Sequence, residues 1–265
     1  MKEFWRATGI LFLAHLRRTF LSKRALVSAG LCCLPVACSV LVATVSRFEG
    51  PPPFDAVLHL GWLLQVPILV LVSLVLGSAV VAEEIEDRTI TYLFTRPIPR
   101  ASIVVGRYLA ALVLVVVLLG TSCALVLKLL GGLQGPEGQH VEIPDGFRTR
   151  IFLSVLLGGA VYSAVFAALG SLVKRPVLVG LGYSFVVEAL LGNLPGSNQK
   201  LTIFYYLKSF LLGGNPELLK YFEESLAVQP LLPTFTALRT LALILVLGLA
   251  LGAWRLTKRE YVLAA

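Results

Sequence analysis

Six apolar runs set the outer limits on what this chain can fold into. They cover roughly 25–45, 58–82, 103–130, 151–173, 177–194 and 237–256. An α-helix needs about 20 apolar residues to cross about 30 Å of hydrocarbon, and a spanning segment must satisfy its own backbone hydrogen bonds. Soluble helical proteins do not repeat such runs six times. With 57% hydrophobic residues, 14% charged residues and a mean hydropathy of +0.85, the chain lies outside globular usage. The expected fold is all-α: a polytopic membrane protein of six transmembrane helices. Its 265 residues are read as one transmembrane domain, 1–265. That domain would hold an interfacial helix over 1–24, a surface segment over 83–100 and an extracytoplasmic segment with short outer helices over 195–236.

The net charge of +8 raises the question of nucleic acid, and the topology answers it. With both termini on the cytoplasmic side, 15 Lys and Arg residues fall in inside segments and 8 outside or at span ends. That is the direction the positive-inside rule requires, so the basic excess orients the chain and meets anionic lipid heads. No nucleic-acid partner is expected.

Between the second and third runs lies the most densely charged stretch, 82–107. Charges are costly in hydrocarbon, so this stretch must leave the membrane and lie at its surface. Glu83, Glu84, Glu86 and Asp87 crowd one end, Ile85, Tyr92 and Leu93 give an apolar edge, and Arg96-Pro97-Ile98-Pro99 stops the helix. A surface helix held between two spans is a handle by which both can be moved.

Elsewhere the features are sparser. In the N-terminal helix Trp5, Phe12, Leu13, Leu16 and Phe20 form an apolar stripe, with His15, Arg17 and Arg18 outside it. Gln65 and Pro67 in the second run imply a helix bend and a buried amide needing a partner. Glu188 in the fifth run is either a functional carboxylate or the mark of the outer interface. Gln65, Pro67 and Glu188 are the candidate translocation path. Lys174-Arg175-Pro176 forces the fourth and fifth runs to be adjacent and antiparallel, and Gly158, Gly159, Gly170, Gly180 and Gly182 allow close helix approach. Cys32, Cys33, Cys38 and Cys123 all lie in apolar sequence and are expected to pack in the core.

Soluble-type catalytic chemistry is missing from the pattern. There is no phosphate-binding Gly-x-x-x-x-Gly-Lys-[Ser/Thr] loop, no His/Cys cluster at metal-ligand spacing and no Gly-x-Ser-x-Gly elbow. Glu83-Glu84-Ile85-Glu86-Asp87-Arg88 resembles the first motif of the CAAX-type intramembrane proteases. Its companion Phe-x-x-x-His is absent at His15, His59 and His140.

A fuller resemblance runs through 86–107. Thr89, Leu93, Arg96, Pro97, Arg100, Gly106 and Arg107 match, position by position, the cytoplasmic signature of the type-2 permeases of ATP-binding-cassette (ABC) exporters. Arg88 stands where that family usually has glycine, and Pro99 where it usually has serine. The resemblance implies a permease subunit that binds no cofactor itself and is not an enzyme. Two copies pair, and each docks its coupling helix on a separate ABC ATPase carrying ATP and Mg. The coupling residues implied are Glu83, Glu84, Glu86, Asp87, Arg88, Thr89, Tyr92, Leu93, Phe94, Arg96, Pro97 and Arg100. It further implies export across a bacterial plasma membrane, with an extracytoplasmic accessory protein as a further partner. The alternative is a membrane subunit that passes ATPase motion to an extracytoplasmic partner without a path of its own.

Overall fold

The computed structural model describes residues 2–49, 59–86, 100–131, 146–192, 194, 197–213 and 231–258. All regular structure among them is helical. Helix α1 (Lys2–Phe20) and helix α2 (Lys23–Glu49) meet at Ser22. Its hydroxyl accepts the Ala25 N–H at 3.2 Å and donates to the Thr19 carbonyl at 2.7 Å, so one side chain starts α2 and closes α1.

A π-helical turn, His59–Leu63, leads into α3 (Gln65–Glu86). Pro67 therefore stands in the first turn of α3. The sequence places it as a bend within the span; the structure puts it at the junction of π and α geometry. Proline has no N–H to return to the carbonyl four residues back, here that of Leu63, the last π residue. Helix α3 carries on through Glu83, Glu84 and Glu86, so the acidic cluster begins as the last turn of a spanning helix.

Helices α4 (Arg100–Gly131), α5 (Phe147–Leu172) and α8 (Thr234–Lys258) complete the long elements. Five helices are long and apolar enough to cross a membrane: Lys23–Ser46, Gly61–Ala82, Ala101–Gly131, Phe147–Leu172 and Thr234–Lys258. The fifth apolar run behaves differently. Helix α6 (Pro176–Tyr183) continues directly into a π-helical stretch, Ser184–Leu191. At ~1.5 Å per residue this element rises only about 24 Å. Five of the six expected spans therefore have full spanning length, and the fifth run is a shorter apolar helix.

The core forms around α3. Of its apolar window 78% is buried inside the protein, against 22% for α2 and 22% for α8, so α3 is the central rod and those two are outer helices. Where hydrocarbon replaces water, helices associate by close packing and hydrogen bonds rather than by expelling solvent. The α3–α5 crossing shows both. A Cβ on Gly77 would sit 2.7 Å from the Ser163 carbonyl oxygen, and one on Gly170 would sit 2.5 Å from that of Ser78. The Ser73 hydroxyl donates to the Gly159 carbonyl at 3.4 Å, and the Tyr108 hydroxyl joins α4 to the Ala160 carbonyl at 2.9 Å. Of the glycines expected at helix contacts, Gly158, Gly159, Gly170 and Gly180 are there, whereas Gly182 faces open space.

Helix α1 lies across α4 at Gly106, where a Cβ would meet the Thr8 carbonyl oxygen at 2.8 Å. Its faces are the reverse of a soluble amphipathic helix. Thr8, His15 and Thr19 are buried against the protein, while Trp5, Ile10, Leu13 and Phe20 point outward with Arg6, Arg17 and Arg18. Outward aromatic and aliphatic groups beside cations suit the lipid boundary. The cysteines correct one expectation: Cys32 and Cys123 are buried, but Cys33 is exposed, and all four are free thiols.

Tight packing at α3–α5 makes a sharp test. Gly77→Ala should lower the stability of the purified protein by about 1–3 kcal/mol through overpacking against backbone. Gly182→Ala, with nothing within 4 Å, should leave thermal unfolding in detergent unchanged or slightly raised. Equal effects of the two changes would contradict this packing.

Candidate functional site

The described residues place the sequence-derived candidates at two ends of α3. At its C-terminal end, Glu83, Glu84 and Glu86 lie on the last helical turn, and Arg100 opens α4. Asp87, Arg88, Thr89, Tyr92, Leu93, Phe94, Arg96 and Pro97 fall outside the described residues. Around the two helix ends the packing is dense. Val80 and Val81 of α3, Val104 and Tyr108 of α4, Ala164 and Ala167 of α5 and Leu256 of α8 form one buried cluster. Arg107 is buried there, with a guanidinium nitrogen 3.5 Å from the Val80 carbonyl oxygen. Any force on the segment joining α3 to α4 therefore enters four packed helices at once.

At the N-terminal end of α3 the other candidates separate. Gln65 is fully buried in a link between three helices: its Nε2 lies 3.4 Å from the Ser122 hydroxyl of α4, which donates to the Cys32 carbonyl of α2 at 2.9 Å. This gives the NH₂ half of the buried amide its partner, while Oε1 has none among the described residues. It makes Gln65 a cross-brace. Pro67 and Glu188, by contrast, share a cavity of about 240 Å³. Val66, Val70 and Leu71 form its wall on α3, and Tyr162 stands on α5. Ser184, Phe185 and Ala189 belong to the π-helical stretch after α6, and Phe204 to α7 (Ile203–Leu212). Along α3 the cavity and the Glu83 turn are ~24 Å apart.

Glu188 is 93% buried, and its carboxylate accepts three hydrogen bonds. Oε1 accepts the Tyr183 hydroxyl at 2.8 Å and the Ile203 N–H at 3.1 Å; Oε2 accepts the Phe204 N–H at 3.1 Å. The Thr202 hydroxyl oxygen takes the Tyr205 N–H at 3.2 Å. The first three N–H groups of α7, which no helix can satisfy internally, are thus all held by side chains. A carboxylate at a helix N-terminus also meets the positive end of its dipole. The two sequence readings of Glu188 merge in this geometry: it stands where the fifth apolar run ends, and it fixes α7 to that run.

Helix α7 caps this end, burying Ile203, Tyr205, Leu207, Leu211 and Leu212. Trp62 stacks on Phe204 with ring centroids 6.3 Å apart, which ties the first π-helical turn to the cap. Lys208, half-buried on α7, has its ammonium 5.9 Å from the Phe204 ring centre, and desolvation lowers its pKa from 10.5 to about 8. Sequence reasoning missed Tyr162, Tyr183 and Phe204. Tyr162 follows Gly158 and Gly159 by one helical turn, and that small-to-large spacing on one face was the available signal.

Two measurements probe this end. Glu188→Gln replaces an acceptor oxygen by an NH₂ group facing backbone donors. Amide exchange at Ile203 and Phe204 should speed up about tenfold or more, as expected for losing hydrogen bonds to a charged group. Unchanged exchange would refute the capping role. For Lys208 the sign follows from its depressed pKa: between about 8 and 10.5 the unfolded chain binds more protons than the folded one. Thermal stability should therefore rise with pH across that window, and the cost of the buried ammonium is fully present below it. Lys208→Met should remove the rise, and an identical pH profile in the variant would exclude this origin.

The family described as ABC-2 family transporter protein matches residues 60–252, from the first π-helical turn through most of α8. No curated protein matches the chain. The matched stretch contains the whole cavity lining, the Gln65–Ser122 part of the cross-brace and all of the buried cluster except Leu256. The chain belongs to the ABC-2 transporter family and is a multi-pass membrane subunit of permease type, the kind that works with an ABC ATPase.

Proposed function

We propose that this permease exports a substrate across a bacterial plasma membrane as a homodimer, driven by ATP hydrolysis in two copies of a separate ABC ATPase. The 1–265 chain is one transmembrane domain with both termini cytoplasmic, and the ATPase holds its coupling region, 83–100. The observation that carries this reading is the convergence of α3 and α4 on one buried cluster within the family match. The coupling segment joins those two helices in the chain.

Each part of the segment has a chemical role. Glu83, Glu84, Glu86 and Asp87 offer carboxylates to Arg or Lys on the ATPase. Tyr92, Leu93 and Phe94 form the apolar anchor, since buried aromatic groups carry more binding energy than rim charges. Thr89 and Pro97 belong to the same contact segment, and Arg88, Arg96 and Arg100 meet lipid phosphate or the ATPase surface. ATP and Mg stay in the ATPase. When the ATPase subunits close, the segment moves as a unit, and α3 transmits that displacement to the cavity end at Pro67 and Glu188. An extracytoplasmic accessory protein would meet the region 195–236.

Replacing Tyr92 and Leu93 together by Ala should reduce ATPase co-purification, and permease-stimulated hydrolysis, by about tenfold or more, as removal of two anchor side chains implies. An undiminished complex with normal stimulated hydrolysis would refute the coupling role.

A further inference from the structure

The cavity between α3 and the π-helical stretch has polar capacity that the capping of α7 leaves over. Its walls are aliphatic and aromatic, from Val66, Val70, Leu71 and Phe185. Its volume, about 240 Å³, suits one hydrocarbon chain and falls short of the several hundred Å³ typical of larger ligands. Pro67 and Phe185 at its edge are exposed, and the neighbouring Val186 and Leu190 are 58% and 59% exposed. An opening rimmed by outward apolar side chains on a membrane helix faces lipid rather than water.

The floor is different. Tyr162 is fully buried, and its hydroxyl faces the Glu188 carboxylate and the Phe204 backbone without closing a hydrogen bond to a described residue. Glu188 has three donors, and a carboxylate has room for about four. The floor therefore has an unused phenol and one unused carboxylate position, both inside an apolar chamber. A ligand hydroxyl accepts from the phenol and donates to the carboxylate, so it answers both. An ammonium would serve Glu188 alone, and a ligand carboxylate would repel it. Leaving a buried hydroxyl unpaired costs free energy, which binding such a group recovers.

We propose that this cavity is an intramembrane binding site for the end of a hydrocarbon chain bearing a hydroxyl group, which enters sideways from the bilayer past Phe185. The site rests on the cavity and not on the coupling reading, because occupancy requires neither nucleotide nor ATPase.

The test uses the full chain in lipid nanodiscs, labelled by light with a diazirine-bearing dodecanol, a matching dodecane and a matching dodecylamine. Crosslinks are mapped by peptide mass spectrometry. The alcohol should concentrate on 63–71 and 184–189 by about tenfold over the outward faces of α2 and α8, a gap typical of specific over surface contact. Ala189→Trp, an exposed lining position, should abolish that enrichment. Leu71→Trp provides a second filling variant should the first not fold. Tyr162→Phe should weaken alcohol labelling about fivefold, the worth of one neutral hydrogen bond, and leave dodecane labelling unchanged. Labelling no higher than on α2 and α8, as for annular lipid only, would overturn the site. Stronger labelling by the amine than by the alcohol, or an equal response of alcohol and alkane to Tyr162→Phe, would overturn the hydroxyl assignment.

Discussion

Everything in this protein depends on how closely α3 can lie against α5. In a bilayer the lipid tails are as apolar as the helix surfaces, so no gain from leaving water holds the pair together. Contact distance must do so instead. Gly77 against the backbone of Ser163, and Gly170 against that of Ser78, bring the two helices to backbone contact at two points along their length. Once that crossing is set, α4, α2 and α8 have surfaces to pack on, and α3 becomes a rod enclosed on nearly every side. An enclosed rod cannot bend far without disturbing all its neighbours. Displacement at one end is therefore delivered to the other.

The two ends of that rod have opposite chemistry. One finishes in Glu83, Glu84 and Glu86 above a cluster of small and branched side chains, with the buried Arg107 beside the Val80 carbonyl. The other begins in a π-helical turn, passes Pro67 and borders the cavity floored by Tyr162 and Glu188. Acidic residues belong to the first end, apolar volume with a few directed polar groups to the second. A transporter needs both, and it needs them mechanically continuous. The buried brace from Gln65 through Ser122 to the Cys32 carbonyl fits this need, because it locks α2, α3 and α4 beside the cavity.

Most of the architecture could be read from the residues because the hydrocarbon constraint is so severe. Runs of apolar residues and a three-residue turn at Lys174-Arg175-Pro176 each leave one solution open. What stayed hidden depends on partners distant in sequence. Nothing near Glu188 says that its acceptors will meet the N–H groups of Ile203 and Phe204, because that requires α7 to fold back. Pro67 looked like a mid-span bend because π geometry ahead of it has no compositional mark. The stripe on α1 is visible in the residues, but its direction is not: Thr8, His15 and Thr19 turn inward because α1 packs against α4, where Gly106 lets the backbone of Thr8 come close. Cys33 faces outward for a similar reason, as one of two adjacent cysteines on a helix with one buried side.

The short element from Pro176 to Leu191 has a consequence for the surrounding lipid. It rises about 24 Å where the hydrocarbon is about 30 Å thick, a mismatch that the bilayer relieves by thinning on that flank. Acyl tails there are compressed and disordered relative to those along α2 or α8, and headgroups sit nearer the midplane. The cavity mouth at Phe185 opens onto that dimple, so a molecule leaving the leaflet meets its smallest elastic barrier directly in front of the opening.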